Sequence, residues 1–139
     1  MGCAMAWTRA RAMDVPGSDV TLSPSTGIDP GPVLGTWVNY DPDTTGIARL
    51  RIRSRSGGIG VSILAAGSLW PEYGGESTGL VFASAVDGIS ATGFSACLGR
   101  AGTDVFLAAY LNLRLLVVDA YAVRPGSTNH FHRDHFYQP

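Results

Sequence analysis

The sequence predicts an all-β protein: an eight-stranded antiparallel up-and-down barrel over residues 34–139, preceded by an irregular N-terminal arm over residues 1–33. Three observations predict it. No long stretch carries a 3.6-residue apolar period, so helix has little support. The 18 glycines and 8 prolines are dispersed, as tight turns between many short strands require. From residue 34 onward, eight apolar-rich runs are separated by short turn-forming clusters, the spacing of a sandwich or an up-and-down barrel.

The arm divides into a weakly helical patch, AMAWTRARAM, and a run rich in Pro, Gly, Ser and Asp. The patch is too short to stand alone as a helix. Three roles stay open for it: a frayed arm, a flap over the barrel mouth, or a subunit contact through Trp7.

The strands then follow in order. LGTWVNY is the first, turned by PDTTG. GIARLRIRSR is the cleanest, with arginines 49, 51, 53 and 55 on one face and Ala48, Leu50 and Ile52 on the other. That arginine row reads as a solvated outer face that discourages edge pairing, ahead of a phosphate site. SGG turns into GIGVSILAAG, and SLWPEYGGES is a longer loop. Strands follow at STGLVFASAV, SATGFSACL, DVFLAAYL, Leu113 to Val123, and NHFHRDHFY. Small residues at the expected inward positions (Ala65, Ala83, Ala85, Ala109 and Ala120) leave room for an internal cavity.

Composition narrows the chemistry. Hydrophobic residues make up 45% and charged residues 15%, enough apolar side chains for a single core in 139 residues. The net charge of −1 gives no electrostatic case for nucleic acid or an anionic membrane. All ten basic residues are arginine, which fits GC-rich bacterial coding and excludes Schiff-base chemistry on a lysine. Cys3 and Cys97 lie far apart with no metal or CxxC spacing and read as reduced thiols. No apolar run is long enough for a membrane helix, and residues 1–13 lack a signal-peptide core, so the expected location is the cytoplasm.

Gly35-Thr36-Trp37, opening the first long strand as GTWVN, resembles the start of the lipocalin and avidin-like (calycin) barrels. The resemblance covers residues 34–137 in layout, and in letters only that start and one arginine. It implies that Trp37 plugs the closed end of the barrel and that an arginine packs across its ring, Arg133 first and Arg124 second. The polar set with which avidins hold biotin is not recognisable here, so biotin binding is not implied.

The last strand holds all three histidines, in HFHRDH. Extended, it puts His130, His132 and Asp134 on one face and Arg133 and His135 on the other. Alternating histidines with Asp134 suit a metal, but a solvated outer face is the favoured reading, and no metal is expected. With Arg133 inward on Trp37, His135 shares the inner face as an acid–base candidate. Asp119 and Tyr121 share a face with Leu113, Leu115, Val117 and Val123, which looks inward; the competing register turns Arg114, Leu116 and Val118 inward instead. An inward Asp119 would serve as a base or ligand anchor, against a structural salt bridge as the alternative. Trp70 and Tyr73 in the long loop, and Tyr110 in its strand, are candidates to contact ligand. No nucleophile elbow, P-loop, zinc-protease motif or dinucleotide fingerprint is present.

The expected function is binding of a small hydrophobic molecule in the barrel cavity, with Asp119, Tyr121 and His135 as catalytic candidates. Trp37, Trp70, Tyr73, Tyr110 and Arg133 would contact the ligand. The resemblance implies a cofactor-free cyclase or isomerase of natural-product biosynthesis. A carrier or sensor, and a protein-interaction barrel with a filled core, stay open beside it. No cofactor, nucleic acid or membrane partner is expected, and self-association through the outer faces stays open.

Overall fold

The computed structural model describes residues 27–67, 75–86, 88–100 and 102–139. Eight antiparallel strands close in chain order into one barrel, as expected. They are β1 (Gly35–Asn39), β2 (Ile47–Arg55), β3 (Gly58–Ala65), β4 (Ser77–Phe82), β5 (Gly93–Arg100), β6 (Thr103–Asn112), β7 (Leu115–Val123) and β8 (His130–Tyr137). A 3₁₀ turn over Gly31–Val33 precedes β1, and no α-helix occurs among the described residues.

Turn chemistry sets the strand ends. Ser56 and Gly57 join the Arg55–Gly58 pair, with Gly57 at a φ of 79° where a side chain would be strained. The expected strand from Leu113 begins instead at Leu115. Leu113 and Arg114 form a two-residue turn across the Asn112–Leu115 pair, and Leu113 takes a φ of 58° to close it. The fourth strand ends at Phe82, before the alanines at 83 and 85 that were expected inside the barrel. At Gly93 a Cβ would collide with the carbonyl oxygen of Ala109, so β5 and β6 approach more closely than a side chain allows.

Alternation now assigns the faces. Leu50 and Ile52 of β2, Ile59 and Val61 of β3, Phe94 and Ala96 of β5, and Leu107 and Ala109 of β6 form the core. On β7 the inward side chains are Leu116 and Val118, with Ala120 packed against them. The face expected to be inward, carrying Asp119 and Tyr121, is therefore the outer one; the competing register holds for Leu116 and Val118, while Arg114 lies exposed in the turn. Val117 is buried as well, yet it is not part of the core cluster and lies opposite Tyr110 and His135 on the outside. On β8 Phe136 is fully buried in the core, so the even positions of that strand face inward. Of the five expected inward alanines, Ala109 and Ala120 line the interior and Ala65 is exposed at the rim.

The two ends differ. Residues 28–34 run across one end from the β4–β5 connection, where Asp29 bridges Ser90, to the start of β1. Val33, fully buried, and half-buried Ile28 and Leu34 close that end. These residues belong to the barrel rather than to an arm; the rest of the expected arm, 1–26, lies outside the described residues. At the opposite end the β5–β6 and β7–β8 hairpins outrun β1, which pairs with β8 only at Val38–Tyr137 and Asn39–Phe136. We call this end the mouth.

Candidate site at the barrel mouth

The mouth is built from inward positions that the core does not fully cover. Ile47, Ile63, Val105 and Ala120, from β2, β3, β6 and β7, are each half-buried and pack on the core from this side. The wall of β8 adds polar groups to the apolar ring. Asp134, half-buried, and His132 and His130, exposed, follow Phe136 on its inward face. Asp134 and His132 are two residues apart on one strand, about 7 Å.

The β1–β2 connection holds one side of this wall in place. Asn39 is buried, and its amide donates to the Ile47 carbonyl at 3.0 Å while its carbonyl accepts the Asp41 N–H at 2.9 Å. The Tyr40 N–H donates to the His135 carbonyl at 2.8 Å, tying the connection to β8. Gly46 then passes the Asp134 carboxylate, 3.8 Å from where a Cβ would stand. An open groove of about 330 Å³ lies along this seam, between Asn39, Tyr40 and Asp41 on one side and Leu115, Arg133, Asp134 and His135 on the other, with the outward-facing Arg133 and His135 among its walls.

The structure separates the expected catalytic residues from this mouth. Asp119 lies on the outer side of β7, where Arg133 holds it with two bonds, Nε to Oδ1 at 2.7 Å and Nη2 to Oδ2 at 3.0 Å. Those bonds keep the Asp119 carboxyl below the usual carboxylate range against its partial desolvation, and they raise Arg133 further above its ordinary value. The salt-bridge alternative is the one observed. Tyr121 is also outside, its ring 5.0 Å from that of Phe131 and 6.4 Å from that of Phe106. His135 and Tyr110 are exposed on the same outer face.

Trp37 is buried in the core, but neither expected arginine lies across it. Its indole N–H donates to the Val33 carbonyl at 2.9 Å, fastening the closing segment to β1. Arg133 stands instead 6.0 Å from the ring centre of Phe131, and Arg124 donates to the Thr103 hydroxyl at 2.9 Å near the mouth. The first correction follows from strand parity: Phe136 takes the inward position on β8, which turns Arg133 and His135 outward. Trp70 and Tyr73 lie outside the described residues. The inward role of Asp134 and His132 had a signal in the sequence, since Phe136 shares their parity and is the aromatic nearest to them on that face.

Among the described residues no three His, Cys, Asp or Glu side chains converge as a metal site requires, and no helix is long and apolar enough to cross a membrane. Comparison with protein-family models, curated proteins and solved structures finds no match to this chain.

Proposed function

We propose that the chain binds a small, mainly hydrophobic molecule at the barrel mouth. In this reading it acts as a cofactor-independent cyclase or isomerase of natural-product biosynthesis in a bacterial cytoplasm, with a calycin-like layout. The observation that carries the binding site is the half-buried aliphatic ring of Ile47, Ile63, Val105 and Ala120 beside Asp134. Inward aliphatics left partly open to solvent gain from an apolar guest, and a single polar wall orients it. A flexible precursor held there loses the entropy that opposes ring closure before the reaction begins. Asp134 and His132 are the groups placed to accept and return a proton; Asp119, Tyr121 and His135 keep no part in it, since they face away. A second reading, a protein-interaction barrel with a filled interior, draws on the fully buried Phe94, Leu107 and Phe136 beneath the mouth.

Native mass spectrometry of the purified chain, followed by titration with the neutral dye N-phenyl-1-naphthylamine, tests the proposal. Ala120→Trp, which fills the ring, is expected to weaken dye binding by about tenfold or more, whereas Tyr121→Phe leaves it unchanged. Equal binding by the wild type and Ala120→Trp, or none by either, favours the filled barrel.

A further inference from the structure

The outside of the barrel is divided in two. β2 presents Arg49, Arg53 and Arg55 to solvent on one side. On the other, β6, β7 and β8 present apolar rows in direct register. Tyr121 stands beside Phe131 in one row, and Tyr110 beside buried Val117 in another, with Val123 and Tyr137 at the margins. Tyr110 is 47% exposed, Tyr121 43% and Phe131 51%. The charged pair within this face, Asp119 with Arg133, is already closed on itself.

We propose that this face of β6–β8 is the docking surface for a second copy of the chain, related by a two-fold axis. Exposed aromatic surface on this scale marks an interaction site, here as two rows with the Asp119–Arg133 pair between them. With close to half of each ring open, the four rings and Val123 offer roughly 500 Å². Together with their rim they approach the ~800 Å² per partner of a stable interface. Charge selects the occupant. An isologous contact brings each face against its own copy. The β6–β8 face carries Asp119 and Arg133 as a closed pair, with Asp104 and His135 as its other titratable groups besides the tyrosines, and so brings less like charge against its own copy than the arginine row of β2 would. The exposed arginine row of β2 argues against a membrane-spanning barrel, which is apolar all round. Burial of the contact also lowers the dielectric around Asp119 and Arg133, strengthening a pair that is already geometrically complete. The inference is independent of what the mouth binds.

Sedimentation velocity of the full chain from about 1 to 100 µM is the test. The expected result is a species of twice 14.6 kDa at the upper concentrations. Tyr121→Glu with Phe131→Glu, shown folded by circular dichroism, should raise the dissociation constant by about 100-fold or more. Arg53→Glu, on the opposite face, should leave it unchanged. If the double variant does not fold, Val123→Arg at the margin replaces it, with a smaller rise expected. A wild type monomeric at the highest concentration overturns the proposal, and so does a folded face variant that associates as the wild type does. A monomer that co-floats with phosphatidylcholine vesicles also overturns it and assigns the face to lipid.

Discussion

Asp119 and Arg133 illustrate how one side chain's surroundings settle its role. A carboxylate in the middle of LLVVDAYAV invites a catalytic reading, yet here two hydrogen bonds from Arg133 hold it in its charged form. The consequence is a pH signature of stability. The unfolded carboxylate titrates near 3.9, and in the fold its value is lower. The pair therefore stabilises the protein above that range, and the contribution is lost as pH falls through the depressed folded value. Asp119→Asn is expected to lower Tm at about pH 7 and to converge on the wild type once the pH has fallen below the depressed folded value. Thermal melts across that range check it, with dye binding at the mouth unaffected. A variant whose deficit persists unchanged into acid would show that the pair stabilises by packing rather than charge.

Among the elements, the β6–β7 hairpin carries visible strain and β2 carries none. From Arg49 onward the arginine alternation in β2 needs only strand pleating to place Leu50 and Ile52 inside, and that is where they are; a bulge between Ile47 and Arg49 shifts the parity before it. Leu113, by contrast, sits at a φ of 58° in a two-residue turn, almost fully exposed. The left-handed region costs an L-residue about 1–2 kcal/mol, which glycine avoids at some cost in unfolded-state entropy. Leu113→Gly is expected to stabilise the protein by roughly 0.5–1 kcal/mol. In urea unfolding this reads as a higher midpoint at unchanged slope. The turn escaped sequence reading because Leu113 continues the apolar run of β7 and is not a turn-forming residue. The parity of β8 differs from the sequence expectation for a related reason. The calycin resemblance directed Arg133 inward, while Phe136, the residue that buries most on that strand, required the opposite.

At the scale of the whole molecule, the closing segment and the mouth sit at opposite ends of one core. Trp37 joins the first to the barrel through its bond to the Val33 carbonyl. Trp37→Phe leaves that buried carbonyl without its donor and opens a void, an expected loss of about 1–3 kcal/mol. Calorimetry should show the lower Tm, while dye affinity at the distant mouth stays close to the wild-type value. The sequence by itself determined that this is an eight-stranded all-β chain, where nearly every strand lies, and that the arginines of β2 are outside. Those features are local: turn residues, β-propensity and a clean two-residue period act within a few positions. Only the tertiary structure decided which face of β7 and β8 is inner, that residues 28–34 close one end, and that Asp134 rather than Asp119 stands at the mouth. In those strands both faces carry apolar residues. The choice between them is made by burial against Phe94, Leu107 and Trp37, which come from other strands of the chain.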